Sequence, residues 1–195
     1  VSSSEKKQAI LSKLGIEESY QSVIGTDYWA MAKAGNQAAM QAQRVNQHIG
    51  LLMQTASSLK IDSADSSPSL IIANSLIQQD KISFSRAEDI RSILENAATN
   101  SSLSLTETQL AAVTNSVATI NAAIASPDLN PTDNTAKDIT AIAQQALQAN
   151  IKGLIEGEIT VDKFNSENSN LLSNINVPEG ANDTDKDGFA DFIDL

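Results

Sequence analysis

The residues with the clearest capacity for chemistry are a run of aspartates near the carboxyl end of the sequence. Between Asp183 and Asp194, aspartate occupies positions 1, 3, 5, 9 and 12 of a twelve-residue segment, and Gly188 occupies position 6. A calcium-binding loop needs oxygen ligands at this spacing and a glycine where the chain reverses. The backbone carbonyl at position 7 can supply a further ligand. The predicted ligands of a Ca2+ ion are therefore Asp183, Asp185, Asp187, Phe189, Asp191 and Asp194.

The charge of this segment makes its folding dependent on a cation. Its five aspartates are offset only by Lys186, so they repel one another at short range. We therefore expect the loop to fold only when metal is bound. A solvated acidic tail is the other interpretation, but the glycine at position 6 and the apolar residues at positions 7, 10 and 11 favour a built site. Asp194 stands at position 12, where a longer Glu is usual, so magnesium competes better here.

The composition of the chain limits its partners. It has 195 residues, of which 41% are hydrophobic and only 4% aromatic, so its core must consist of Ala, Ile, Leu and Val. The net charge of −11 and the presence of only three arginines argue against binding to nucleic acid or to an anionic membrane surface. The absence of cysteine excludes disulfides and thiolate metal sites. No apolar run is long enough to span a bilayer.

Helical periodicity and turn residues predict an all-α fold. We expect an irregular bundle of about seven or eight helices in a domain of residues 1–175, followed at 176–195 by a linker and the C-terminal calcium-binding loop. Capping boxes are predicted at Ser85 with Glu88 and at Thr106 with Gln109. The first predicted helix covers about 4–14, the second begins at 25–27 and stops at Gly35, and the third covers 36–59. One further helix is predicted after Pro68 and one after each capping box. The last two cover 131–157 and 160–175.

Apolar residues three and four positions apart identify the faces expected to be buried. The first helix has a short apolar stripe, and the helix after Pro68 is expected to be buried around most of its circumference. The long helix at 36–59 and the helix after Thr106 carry the longest stripes. The expected inward residues are Ile10, Leu11 and Leu14; Leu70, Ile71, Ile72, Leu76 and Ile77; Met40, Val45, Ile49, Leu52, Met53, Ala56 and Leu59; and Leu110, Val113, Val117, Ile120 and Ile124.

No pattern of catalytic residues is present. His48 is the only histidine, and its place beside Ile49 predicts a boundary or surface position. No serine lies in a Gly-x-Ser-x-Gly elbow, and no phosphate-binding glycine loop occurs. The neighbours Tyr28 and Trp29 are interpreted as core residues, with a binding groove as the alternative. We therefore expect that the protein is not an enzyme.

Two stretches resemble known families. Residues 183–195 resemble a thrombospondin type 3-like repeat of bacterial surface proteins, a family in which calcium stiffens an extracellular spacer made of tandem copies. The stretch from Thr26 to Asn36, leading into Val45 to Ile49, resembles a helical module of very large bacterial surface proteins, and the likeness extends in pattern over about 20–175. Together the resemblances imply a secreted or cell-surface location.

These resemblances and the metal loop lead to one functional expectation. Val1 followed by three serines is typical of a piece of a longer chain whose export signal lies elsewhere. We expect a non-enzymatic extracellular helical module of an adhesin-like protein, in which Ca2+ rigidifies the junction to the next repeat. Its partners would be adjacent repeats of the same chain and a ligand on a host or neighbouring cell. The alternative is a peptide- or glycan-binding module with a groove between helices.

Overall fold

The chain is all-α, as the sequence predicts. The computed structural model describes residues 3–16, 26–59, 67–78, 81–98, 105–125, 131–132 and 134–175. Within these ranges the chain forms eight helices: α1 Ser3–Lys13, α2 Tyr28–Lys33, α3 Gln37–Ser58, α4 Pro68–Gln78, α5 Ala87–Ala98, α6 Glu107–Ile124, α7 Asn134–Glu156 and α8 Val161–Ile175. None of these helices combines the length and apolar character needed to cross a bilayer.

Side-chain caps fix where several helices begin. Asn36 accepts a hydrogen bond from the backbone N–H of Ala39 at 3.0 Å and starts α3. Gly35, with φ of 85°, provides the left-handed turn that ends α2 directly before this cap. Thr106 and Gln109 form the predicted capping box at the start of α6. These ends could be predicted because caps depend on residues close in sequence.

The start of α5 differs from the prediction. Ser85 and Glu88 do not form a capping box. Instead, the carboxylate of Asp89 accepts the backbone N–H of Ser83 at 2.8 Å and also pairs with Arg86 at 2.9 Å. A carboxylate in the first turn satisfies free N–H groups and interacts favourably with the positive end of the helix dipole.

The core is centred on α3, which contacts α2, α4, α5, α6 and α7. Around α3, helices α5 and α6 pack against each other, and α8 packs against α6 and α7. The inward residues predicted for α6 are confirmed: all of them are buried. The largest fully buried side chains are Leu51, Leu52, Leu59, Ile90, Ile93, Leu94, Ile120, Ile124, Leu147, Ile151 and Phe164. A nearly aromatic-free core is thus built from branched aliphatic side chains that interlock between helices.

Some predicted inward positions are wrong. On α3 the predicted Met53 is 37% exposed, whereas Leu51, which was not predicted, is 1% exposed. Ile10 on α1 is also exposed. On α4 only one side packs against α3 and α5, so Ile72 is buried while Leu70 and Ile77 face solvent. Which side chains of a helix are buried depends on which neighbouring helices pack against it. Helical periodicity carries no information about those neighbours.

Replacing Leu51 and Met53 separately by Ala tests this assignment of the α3 face. Leu51→Ala removes a fully packed side chain and should lower the free energy of unfolding by about 2–5 kcal/mol. Met53→Ala, on the same helix two positions later, should cost less than about 1 kcal/mol. Denaturant unfolding followed by circular dichroism measures both. Equal losses, or a larger loss for Met53→Ala, would contradict the packing described here.

Candidate functional site

The predicted metal ligands Asp183, Asp185, Asp187, Phe189, Asp191 and Asp194 lie outside the described residues, which end at 175. Within the part of the chain that is described, no group of three or more His, Cys, Asp or Glu side chains is placed to hold a metal ion. The calcium site therefore stays a prediction of the sequence.

Tyr28 and Trp29, the predicted alternative groove, do not act as a pair. Consecutive residues of a helix point about 100° apart, so the two rings leave α2 in different directions. Tyr28 packs against Ala38 and Ala42 on α3, whereas Trp29 is exposed. Neither ring lines the cavity that lies between the helices.

That cavity lies against the first half of α3, between the end of α1, the segment at 81–86 and the end of α6. Its volume is about 380 Å³, within the range of small-molecule pockets. Its walls combine apolar side chains with two amides, one guanidinium and one imidazole. The lining residues are Gln37, Gln41, Arg44, Val45 and His48 from α3, with Leu14, Ile82, Phe84 and Ala125 from the other segments.

His48 is the best-defined polar group of this cavity, and the predicted boundary or surface position is wrong. Its side chain is only 6% exposed. Its Nε2 lies 3.1 Å from the backbone carbonyl of Asn121 on α6. The side-chain amide of Asn121 donates to the carbonyl of Phe84 at 2.9 Å. The rings of His48 and Phe84 are 5.6 Å apart and tilted by 45°. These contacts join α3, α6 and the segment before α5, and we call them the His48 junction.

The chemistry of the junction follows from its acceptor. A carbonyl can only accept, so the Nε2 of His48 must carry the proton and Nδ1 of the neutral ring must be the bare nitrogen. The pKa of His48 is lowered from 6.5 to about 4: burial is the largest cause, the hydrogen bond to Asn121 opposes it, and the nearby charge of Arg44 adds to the lowering. The imidazole is therefore neutral at pH 7. Burial also lowers the pKa of Arg44, which still stays protonated at pH 7.

This arrangement is structural and not that of a catalytic triad. In a triad, one imidazole nitrogen faces a carboxylate and the other faces a nucleophile. Among the described residues His48 bonds to a peptide carbonyl in the last turn of α6, where unpaired carbonyls need donors. What the cavity offers chemically is a recessed guanidinium beside a neutral ring, amides and an apolar wall.

Sequence reasoning missed this junction although its signal was present. His48 lies three residues after Val45 and four before Leu52, so it shares their inward face. Asn121 likewise lies four residues after Val117 and three before Ile124. A polar residue at an inward position is the signal, since buried polar groups need partners. Assigning His48 by its neighbour Ile49 gave the wrong side of the helix.

Acid should destabilise the protein through His48. In the unfolded chain the ring takes up a proton near pH 6.5, whereas in the folded state it stays neutral down to about pH 4. The stability that this difference contributes is therefore complete above pH 6.5 and is lost as the pH falls towards 4. The free energy of unfolding should drop by about 2 kcal/mol between pH 7 and pH 5.

His48→Gln is the matched control, because its amide can still donate to Asn121 but does not titrate. Denaturant unfolding at pH 7 and pH 5 should show a clearly smaller loss in the variant. Since the sequence has one histidine, the ring resonance seen by NMR is unambiguous and should titrate well below 6.5. The same pH-dependent loss in both proteins would contradict a buried neutral imidazole.

Comparison with known proteins does not assign the chain to a family. No protein-family model, curated protein or solved structure matches the chain.

Proposed function

We propose that this chain is a non-enzymatic, extracellular helical module of a large bacterial surface protein of the adhesin type, and that Ca2+ bound at 183–194 rigidifies its junction to the next repeat. The observation that carries the proposal is the spacing of the aspartates and of Gly188. That pattern meets the requirements of a hard divalent cation for oxygen ligands and for a tight reversal of the chain. The resemblance to thrombospondin type 3-like repeats supports the same conclusion.

The mechanism is electrostatic. Without a cation the five aspartates repel one another, and the junction can swing. Calcium loops of extracellular modules have dissociation constants of about 10⁻⁴ to 10⁻³ M, so they fill at extracellular calcium concentrations. Because Ca2+ binds the folded loop and not the unfolded one, binding stabilises the folded loop by mass action. The junction then stiffens, and the segment becomes harder to cleave by proteases.

A stiff junction also requires that the helix before the linker be held firmly against the rest of the domain, and α8 meets this requirement. Phe164 on α8 is fully buried, and α8 packs against α6 and α7. The amide of Asn168 donates to the carbonyl of Phe164 at 2.9 Å and its oxygen accepts from Asn150 on α7 at 3.2 Å. The linker at 176–182 thus follows a helix held by both apolar packing and a partly buried amide pair.

The charge of the chain is compatible with these partners. A net charge of −11 keeps the module soluble and away from nucleic acid and anionic lipid. Adjacent repeats of the same long chain are the direct partners of a stiffened junction. A ligand on a host or neighbouring cell would be the partner of the whole protein, which we place in the secreted or cell-surface compartment.

A second candidate function is supported by the cavity beside His48. It would make the chain a ligand-binding module for a peptide or a glycan. The recessed guanidinium of Arg44 among apolar and amide side chains favours an acidic peptide over a neutral sugar. The cavity does not lie at Tyr28 and Trp29, so the site differs from the groove expected from the sequence.

Calcium calorimetry on the whole chain tests the first proposal. The wild type should show one site, and Asp187→Ala should abolish the heat because it removes a ligand at position 5. The melting temperature of the helical body should stay nearly unchanged, since the sequence pattern places the loop outside the helical domain at 1–175. Asp162→Ala, an exposed aspartate in the first turn of α8, is the control and should bind as the wild type. No heat in the wild type would refute the proposal.

NMR titration tests the second candidate through the ring signals of His48, which lines the cavity. Short acidic peptides should shift these signals with or without calcium, and neutral oligosaccharides should not. Arg44→Gln should weaken the peptide response by about tenfold or more, as expected for loss of a charged hydrogen bond. Arg91→Gln is the control, because this arginine of α5 pairs with Glu95 and with Glu107 at the start of α6 and does not line the cavity. Unchanged His48 signals with every probe would remove this candidate.

A further inference from the structure

The polar and apolar walls of the cavity beside His48 come from different parts of the chain. All of its polar lining residues belong to α3, at positions 37, 41, 44 and 48. Spacings of four, three and four place these residues along one face of the helix. The segments on the other sides of the cavity contribute only apolar side chains. The polar residues are Gln37, Gln41, Arg44 and His48, and the apolar residues outside α3 are Leu14, Ile82, Phe84 and Ala125.

The polar wall carries one cation and two hydrogen-bond acceptors. Arg44 has five N–H donors in a planar fork that matches a carboxylate, and none of the described residues that line the cavity is an Asp or Glu. The amide nitrogen of Gln41 donates to the carbonyl of Gly15, so its oxygen is the group left to accept. Nδ1 of His48 is the second acceptor, because Nε2 faces the carbonyl of Asn121.

Both acceptors are unused in the part of the chain that the structure describes. There, neither the side-chain oxygen of Gln41 nor Nδ1 of His48 accepts a hydrogen bond. His48 is nevertheless only 6% exposed. A buried acceptor without a donor is unfavourable, and a ligand N–H placed in the cavity removes that cost.

The shape of the cavity limits what enters it. Val45, Ile82 and Phe84 are buried, whereas Gln37, at the far end of the polar wall from His48, is exposed. The volume of about 380 Å³ is near the lower end of the range for small-molecule sites. The cavity therefore admits a small molecule or the end of a chain, and it is too small for a folded segment.

We propose that this cavity binds the carboxyl-terminal residue of a peptide, and that this residue has an apolar side chain. The inference rests on the second candidate function above and names the part of the peptide that is bound. A terminal residue carries its carboxylate, its N–H and its side chain on one carbon atom. The carboxylate pairs with Arg44, and the N–H donates to Nδ1 of His48 or to the oxygen of Gln41. The side chain packs against Ile82 and Phe84.

An acidic side chain in the middle of a peptide fits the same cavity less well. The chain continues on both sides of such a residue, so further peptide groups enter the cavity with it. The wall formed by Ile82 and Phe84 offers them no hydrogen-bond partner in its side chains. Burying unpaired peptide groups against that wall is unfavourable, whereas an apolar side chain gains free energy by leaving water there.

NMR titration of the whole chain with three small probes tests this assignment. N-acetyl-leucine carries a terminal carboxylate and an apolar side chain. N-acetyl-leucine amide lacks the carboxylate, and in N-acetyl-aspartate α-amide the carboxylate lies on the side chain. N-acetyl-leucine should shift the ring signals of His48. Both other probes should bind about tenfold more weakly or worse, because one loses a charged hydrogen bond and the other loses apolar burial.

Two substitutions locate the binding in the cavity. Arg44→Gln should reduce the preference for the acid over the amide to about twofold or less, because it removes the cation. Ala125→Leu should weaken the binding of N-acetyl-leucine about tenfold, since the larger side chain occupies part of the cavity. Ala122→Leu, at an exposed position of α6 outside the lining, is the control and should bind as the wild type. An unchanged preference in Arg44→Gln would overturn the proposed pairing.

The outcomes separate this inference from the function on which it rests. Equal or tighter binding of N-acetyl-aspartate α-amide would overturn the assignment to a terminal residue and leave an acidic peptide as the ligand. Binding of N-acetyl-leucine without binding of acetyl-Gly-Gly-Leu would mean that a free small acid is the ligand, and would overturn the peptide end. Unchanged His48 signals with every probe would overturn both proposals.

Discussion

The inward face of α3 is the surface on which the other helices depend. Leu51 and Leu52 are fully buried there, and five other helices contact α3. Because the sequence supplies few aromatic residues, the core gains its stability from many aliphatic contacts whose individual energies are small. A poorly packed central helix would lose many of these contacts at once and would destabilise the whole core. Every other feature, from the His48 junction to the base of α8, is attached to helices that this face holds in place.

The His48 junction shows how the fold handles polar groups at that centre. Two buried residues, His48 and Asn121, satisfy a carbonyl of α6 and a carbonyl of the segment before α5. Burying such groups is unfavourable unless they are paired. The hydrogen bond from Nε2 of His48 to the carbonyl of Asn121 helps to align α3 with α6, although the side-chain oxygen of Asn121 is buried without a partner. The neutrality of the ring is a result of this packing and carries no catalytic implication.

Much of the fold could be predicted from the sequence, because its determinants are local. Asn36, Thr106 and Gln109 mark helix starts through bonds to residues three positions away. The α6 seam was predicted because several helices surround it and its apolar spacing is regular. Burial could not be predicted for Met53, Ile77 or His48, because it depends on which distant helix covers each side chain. The cavity is also invisible in sequence, since α1, α3 and α6 meet there only after folding.

The calcium loop is the part of the account that depends on sequence alone, and its structure decides between a metal-braced module and a plain helical domain. The most direct measurement is a crystal structure of the whole chain grown with abundant calcium. We predict one ion bound by the carboxylates of Asp183, Asp185 and Asp187, the carbonyl of Phe189 and the groups of Asp191 and Asp194. An ordered tail with no ion among these residues would contradict the account.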